Sequence, residues 1–386
     1  MKNNLGRMLA TGCLALLSGG LPREAAAWQP SGWLYHSGRF AYSMTAGAWY
    51  WLDSGSQMNC WDFNAGTWRQ IGSTCLTSGW ACCQWPYAYG MDEGSWFYLY
   101  AGDTLMCYRL PAGPWSRFGD AAPAGMALIP AGSNSGTDPD FGTYSLTVSA
   151  FYMDRCEVTK AQWDEVRAWG LNNGYADLAA GGGKAANHPV HSVPWYDCVK
   201  WCNARSQMEN RTPAYYTTSA KATVYRTGNI NIEDNDVNWS SGYRLPTDTE
   251  WQYAARGGVS NKRFPWGDTI AHDKANYYSD WYLNAPHLFY DTGYEGYDTR
   301  YSTTGYPYTA PVGSFPANGY ELYDMAGNLW EWCWDWYPGY VGSGRVGRGG
   351  GWNYYAGSCR VAYLSSASPG DAINSAGFRA VLPITQ

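Results

Sequence analysis

Three groupings in this 386-residue chain combine residue types and spacings that can do chemistry. Asp324, Gly327, Leu329 and Glu331 fall within eight residues, so two carboxylates and the backbone carbonyls between them can converge on one point. Oxygen donors of that kind suit a hard cation, calcium first. Cys198 and Cys202 share one side of a helix. Zinc would need a second pair of ligands at a comparable spacing and none follows, so a disulfide or a place in the core accounts better for them. His188 and His191 flank Pro189, but with five histidines in the whole chain a metal site there is disfavoured.

The elements that must hold these groups are short. Thr159 with Gln162 forms a capping box ahead of a helix carrying Trp163 and Val166, which Gly170 is expected to end. Pro194 opens a second helix, with Trp195, Val199 and Cys202 along one core-directed face. Thr247 with Glu250 caps a third, running through Trp251 to Arg256 and closed by Gly257 and Gly258. The remainder reads as Gly- and Tyr-rich loop, and loops of that length are usually held by disulfides, aromatic packing or bound ions.

Composition narrows the function. The chain is 45% apolar, which argues for a folded protein, and its length favours two folded regions. Its formal charge is -6, with 26 basic against 32 acidic residues and no long run of either sign, which excludes a nucleic-acid patch. Only 15% of residues are charged, while 23 Trp and 33 Tyr make an amphipathic aromatic surface, of a kind that suits saccharides or other proteins. Lys2 and Arg7, an apolar run from Met8 to Leu21, and Ala25 to Ala27 read as an export signal over residues 1–27, with a lipoprotein box ending at Cys13 as the minor alternative. No other segment is long and apolar enough to span a bilayer, so the expected location is periplasmic, cell-envelope or secreted. Disulfides are permitted there, and removal of Cys13 leaves ten cysteines whose pairing sequence cannot assign.

Residues 28–121 carry a tandem repeat. Gly32 to Gly72 aligns with Gly79 to Gly119 at a spacing of 47, matching Trp33 with Trp80, Tyr42 with Tyr89, Trp49 with Trp96, Cys60 with Cys107 and Trp68 with Trp115. Short aromatic runs bounded by Gly, Asp or Ser predict a small all-β module, whose rings either stack on sugars or form its own core. The small, Pro-containing stretch from Gly119 to Gly125 reads as a linker into residues 122–386.

Several phrases of the second region resemble the formylglycine-generating enzyme, or sulfatase-modifying factor, family. They are Phe151-Tyr152-Met153-Asp154, His188-Pro189-Val190, Arg244-Leu245-Pro246-Thr247, Gly327-Asn328-Leu329-Trp330-Glu331-Trp332, Arg348-Gly349-Gly350 and Gly377-Phe378-Arg379, in family order. The resemblance implies an α+β, C-type-lectin-like fold with few regular elements and bound calcium. It places one calcium on Asp324, the carbonyls of Gly327 and Leu329, and Glu331. Another falls on Asn276 and the carbonyl of Tyr277, with Thr304 and Tyr306 opposite. Thr304 stands where a carboxylate is expected, with Asp291 or Asp298 as substitutes.

Active members of the family oxidise a sulfatase cysteine using copper held by two cysteines shortly after the Arg-Gly-Gly phrase, and thiolates suit Cu(I). Here the first position is Tyr354, and Cys359 is the one thiol near the second. Copper oxidation through Cys359 is therefore the alternative, and a binding scaffold the main reading. The iron-binding histidine domain of the family's sulfoxide synthases is absent from the sequence. A third class of relatives binds ligands, in some cases through a C-terminal loop diversified by retroelements. Trp352 to Ala376 fits that class: Arg360 and Asp371 are its charges, and Trp352, Asn353, Tyr354, Tyr355, Arg360 and Tyr363 are its candidate contacts with a saccharide or protein ligand. Tyr, Ser, Gly and Asn also dominate antibody paratopes.

Overall fold

The computed structural model describes residues 123–280, 289–303 and 305–384, together with the backbone of ten strands between Gly32 and Arg117. The chain divides into two compact units, Met1–Ala121 and Ala122–Gln386. The expected export signal, Cys13 and Thr304 lie outside the described residues, as do the side chains of the repeat, including Cys60 and Cys107.

In the first unit the strands are β1 (Gly32–Ser37), β2 (Phe40–Ser43), β3 (Ala48–Asp53), β4 (Asn59–Asp62), β5 (Thr67–Gln70), β6 (Gly79–Gln84), β7 (Tyr87–Gly90), β8 (Ser95–Ala101), β9 (Leu105–Leu110) and β10 (Trp115–Arg117). They form one sheet in the order β10-β9-β8-β7-β6-β1-β2-β3-β4-β5. Its pairs are antiparallel throughout, and β1 joins β6 with Trp33 opposite Cys82.

The second unit is mixed α/β with few helices. Strands β11 (Met126–Ile129) and β14 (Phe151–Asp154) form a three-stranded sheet with β21 (Val381–Pro383), tying the start of the unit to its end. Between them β12 (Gly132–Asp138) and β13 (Gly142–Val148) make a hairpin. Helix α1 (Lys160–Leu171) begins at the expected capping box, with Thr159 and Gln162 bonding reciprocally. It runs past Gly170 to a cap at Asn172, because Gly170 is needed for contact: a Cβ there would lie 3.2 Å from Leu178. Helix α2 (Trp195–Met208) starts after Pro194, and α3 (Asp248–Ala255) after the Thr247–Glu250 box.

Helices α1 and α2 meet through Trp163 and Trp201, whose rings stack at 5.9 Å, with Phe378 edge-on to both. Cys198 and Cys202 are buried in this core as free thiols. All five cysteines of the described residues are unpaired, so disulfides do not hold this unit's described loops. What holds them is apolar burial, aromatic packing and ion pairs. The last sheet, β17 (Trp330–Trp336), β18 (Arg345–Arg348), β19 (Ser365–Ala367) and β20 (Ala376–Gly377), has the order β19-β18-β17-β20, with β20 parallel to β17. It brings the turn before β17 and the loop after β18 to one end of the unit.

Candidate functional site

The turn leading into β17 needs unusual backbone. Asp324, Gly327 and Asn328 all adopt left-handed φ, at 57°, 78° and 63°. At Gly327 nothing larger fits, because a Cβ would stand 2.4 Å from the Asn276 carbonyl. Asn328 then threads between segments: its Nδ2 donates to Glu157 Oε2 at 3.0 Å, and its Oδ1 accepts from the Ala310 N–H at 2.8 Å. Glu331 points into the core, where Arg379 Nη2 and Nε donate to its two oxygens at 2.7 Å each, and Trp251 Nε1 adds a third bond of 2.7 Å. Burial disfavours the Arg379 cation, but Glu331 outweighs it and holds its pKa above the usual range.

Three buried carboxylates, Glu157, Asp324 and Glu331, thus face a single guanidinium. Burial raises Glu157 well above the ordinary carboxylate range, helped by the charges of Asp324 and Glu331. Asp324 is pushed up to about 6, by burial first. Its Oδ2 accepts from the Gly313 N–H at 2.5 Å, while Oδ1 is buried without a hydrogen-bond partner. An uncompensated buried oxygen amid excess negative charge fits a hard cation. Glu331 contributes charge, but both its oxygens already carry N–H donors. Among the described residues no three His, Cys, Asp or Glu side chains could hold a metal ion, so a cation here depends on backbone carbonyls, of which those of Gly327 and Leu329 are the candidates.

The residues of the other expected calcium set make hydrogen bonds within the unit. Asn276 Nδ2 donates to the Tyr308 carbonyl at 2.8 Å, and its own carbonyl accepts from Asn328 at 2.7 Å. The Tyr277 carbonyl lies 3.3 Å from His272 Nε2. Asp291 accepts from Tyr277 and Ser279, and Asp298 is paired with Arg300. His188 and His191 bond Thr309 and Ser192, each at 3.0 Å, and form no metal cluster.

Cys359 ends a short 3-10 turn, Ala356–Cys359, and is fully buried. Gly350, at φ 78°, lies over it so closely that a Cβ would meet its sulfur at 2.8 Å. Burial raises its thiol pKa, and Asp291 adds to the effect, so the neutral form prevails. Cys333 packs in a separate apolar cluster, where burial likewise raises its pKa. The described residues therefore assemble no pair of thiolates. Tyr354 and Trp330 meet edge-on at 5.2 Å.

The six candidate ligand contacts divide. Tyr354 and Tyr355 are exposed, whereas Trp352 is buried beneath Tyr306, Tyr308 and Tyr297. Asn353 is half-buried. Arg360 pairs with Asp140 at 3.0 Å and covers the Phe141 ring, and Tyr363 packs against Trp330 and Phe141. Sequence reasoning missed the partners from another segment: Tyr278 on β15 (Tyr278–Ser279), Tyr297 on β16 (Gly296–Tyr297), and Tyr306 and Tyr308 beyond. Tyrosine density between 277 and 308 was the available signal, but it gave no hint that the Tyr278 N–H bonds the Tyr354 carbonyl at 3.0 Å.

A mixed α/β unit of few helices, with long loops fastened by a buried Glu–Arg pair and a left-handed Gly-Asn turn, defines the class of protein. Residues 116–384 match the sulfatase-modifying factor enzyme 1-like domain, and the chain belongs to that family. It is 32% identical over 250 residues to the chaperone protein LppX of Paenibacillus barcinonensis, covering 62% of this chain and 82% of that one. To the formylglycine-generating enzyme of Streptomyces coelicolor it is 31% identical over 269 residues, covering 63% and 81%. The Mus musculus enzyme is 30% identical over 269 residues, covering 61% and 66%. Among solved structures, CarF superposes with a TM-score of 0.52 at 28% identity, covering 68% of this chain and 100% of its own.

Proposed function

We propose that this chain is an exported, calcium-stabilised binding protein on the formylglycine-generating-enzyme fold, without the oxidase chemistry, whose ligand is a saccharide or a protein. The observation that carries the reading is Tyr354 in place of the first thiol, beside a Cys359 buried alone. A relative that is a chaperone stands beside the enzymes, which supports a non-oxidase use of the fold. Export rests on the N-terminal residues, and a diversified ligand loop on the Tyr-, Ser- and Asn-rich composition of 352–376. For calcium, the reading uses Asp324, the carbonyls of Gly327 and Leu329, and the charge of Glu331. The first unit is read as an accessory module of two repeats, supported by β1, β2 and β3 starting 47 residues before β6, β7 and β8. The alternative is a copper-dependent oxidase acting through Cys359.

Copper titration and peptide oxidation separate the two. The purified chain is expected to bind no stoichiometric Cu(I) and to convert no sulfatase-type cysteine peptide to formylglycine; doing both through Cys359 would sink the binding reading. Calcium is checked by chelation: EGTA should lower the melting temperature of the parent and leave Asp324→Asn unchanged. An equal melting temperature of the parent with and without EGTA would remove calcium from the proposal.

A further inference from the structure

The exposed rings near Tyr354 form one connected face drawn from two chain segments. Tyr278 meets Tyr297 at 4.7 Å and Tyr355 at 5.7 Å, and Tyr297 meets Tyr308 at 4.9 Å. Tyr306 meets Tyr308 at 5.7 Å and the buried Trp352 at 5.1 Å. These contacts are edge-on, with interplanar angles of 69° to 88°. Edge-on neighbours cover less of a ring's face than parallel stacking does.

Two of these rings reach furthest into solvent, Tyr306 at 65% exposed and Tyr355 at 49%. An aromatic ring so exposed would ordinarily rotate freely. Tyr306 is held: Asn374 Nδ2 donates to its hydroxyl at 2.6 Å, and Trp352 and Tyr308 pack against the ring. Tyr355 is braced by Tyr278, itself bonded through its N–H to the Tyr354 carbonyl. The entropy of ordering both rings is thus lost on folding rather than on binding, which is how a preorganised contact surface gains affinity.

The ring-bearing residues of the face are Tyr and Trp, and Arg360, the one cation of residues 352–376, pairs with Asp140, which Arg263 shares. A ligand with alternating C–H and hydroxyl surfaces matches braced rings edged by phenolic O–H groups.

We infer that Tyr306 and Tyr355 are two stacking platforms of a composite face that binds an uncharged saccharide. The inference rests on the binding-protein reading and names the ligand class and the residues outside the C-terminal loop that take part. Affinity electrophoresis of the purified full chain through gels containing mannan, β-glucan, galactomannan or arabinoxylan tests it. At least one of these neutral polysaccharides should retard the parent, and Tyr306→Ala and Tyr355→Ala should each weaken retention roughly tenfold. Both rings lie at the surface, so the variants should stay folded, which circular dichroism checks, although Tyr306→Ala uncovers Trp352 and should lower the melting temperature slightly. Asn374→Ala, which frees the Tyr306 hydroxyl and keeps the ring, should lie between. Retention unchanged in both tyrosine variants would place sugar binding elsewhere, such as in the aromatic repeats, and overturn the inference. No retention of the parent on any of the four overturns it too, while leaving a protein ligand open to the broader reading. Formylglycine formation would instead defeat that broader reading.

Discussion

The turn before β17 and the loop after β18 lie at the same end of the sheet and are built to opposite rules. In the turn and its surroundings, Glu331, Arg379, Asn328 and Trp251 are buried, and their polar groups meet partners at hydrogen-bond distance, with Asp324 Oδ1 as the exception. In the loop, Tyr354 and Tyr355 stand in solvent, with rings as their main contacts. The first arrangement holds the fold; the second is free to change. The family phrase from Gly327 to Trp332 lies in the first region, and the proposed loss of the oxidase thiol lies in the second.

The sharpest way to break that comparison is to remove one partner from each region. Glu331→Gln removes the carboxylate to which Arg379 donates directly, leaving Glu157 and Asp324 as the other buried acids near it, and breaking such a pair typically costs about 3–5 kcal/mol. Tyr354→Ala loses an exposed ring and one edge contact and should cost about 1 kcal/mol or less. Chemical denaturation of both variants checks the ratio. Equal costs would mean that the loop is as structural as the turn.

A second test concerns Cys359, which lies under the loop but belongs energetically to the core. Burial and a raised pKa both suppress its thiolate, so in the folded chain it should react with iodoacetamide at least about a hundredfold more slowly than in urea. Mass mapping of the alkylated peptide reads this out directly. Rapid native labelling would show an accessible thiol and revive the oxidase alternative.

Legibility followed the range of the interactions. The capping boxes at Thr159 and Thr247 were readable because donor and acceptor lie three residues apart and the preference is local. Gly170 misled because its role is tertiary, in contact with Leu178, Tyr175 and Ala204, and no local rule distinguishes a packing glycine from a terminating one. At the site, the phrase around Glu331 was visible as a motif, but its partner Arg379 lies 48 residues away. Asn276 and Tyr277 carry oxygens suited to calcium, and their commitment to Tyr308, Asn328 and His272 depends on how distant loops fold back. The division of the six loop residues into exposed and covered likewise depends on Tyr297, Tyr306 and Tyr308, which approach from another segment.

The smallest effect sharpens the comparison through pH. His191 is buried beside the core, bonds Ser192, and has its pKa lowered by burial and then by Lys160. In the unfolded chain it titrates near 6.5. Below that pH the unfolded state takes up a proton that the folded state resists, so this contribution to stability is full above about 6.5 and is lost as pH falls. Asp324, raised to about 6, acts in the opposite sense when no cation holds it ionised, so the measurement belongs at saturating calcium. His191→Gln should then flatten the fall in unfolding free energy between about pH 7 and pH 5.5, by less than roughly 1.4 kcal/mol per pH unit. The loop from 352 to 376 holds no histidine. Retention on a neutral polysaccharide should therefore stay constant where stability changes, and a parallel fall in both would tie the aromatic face to the buried network.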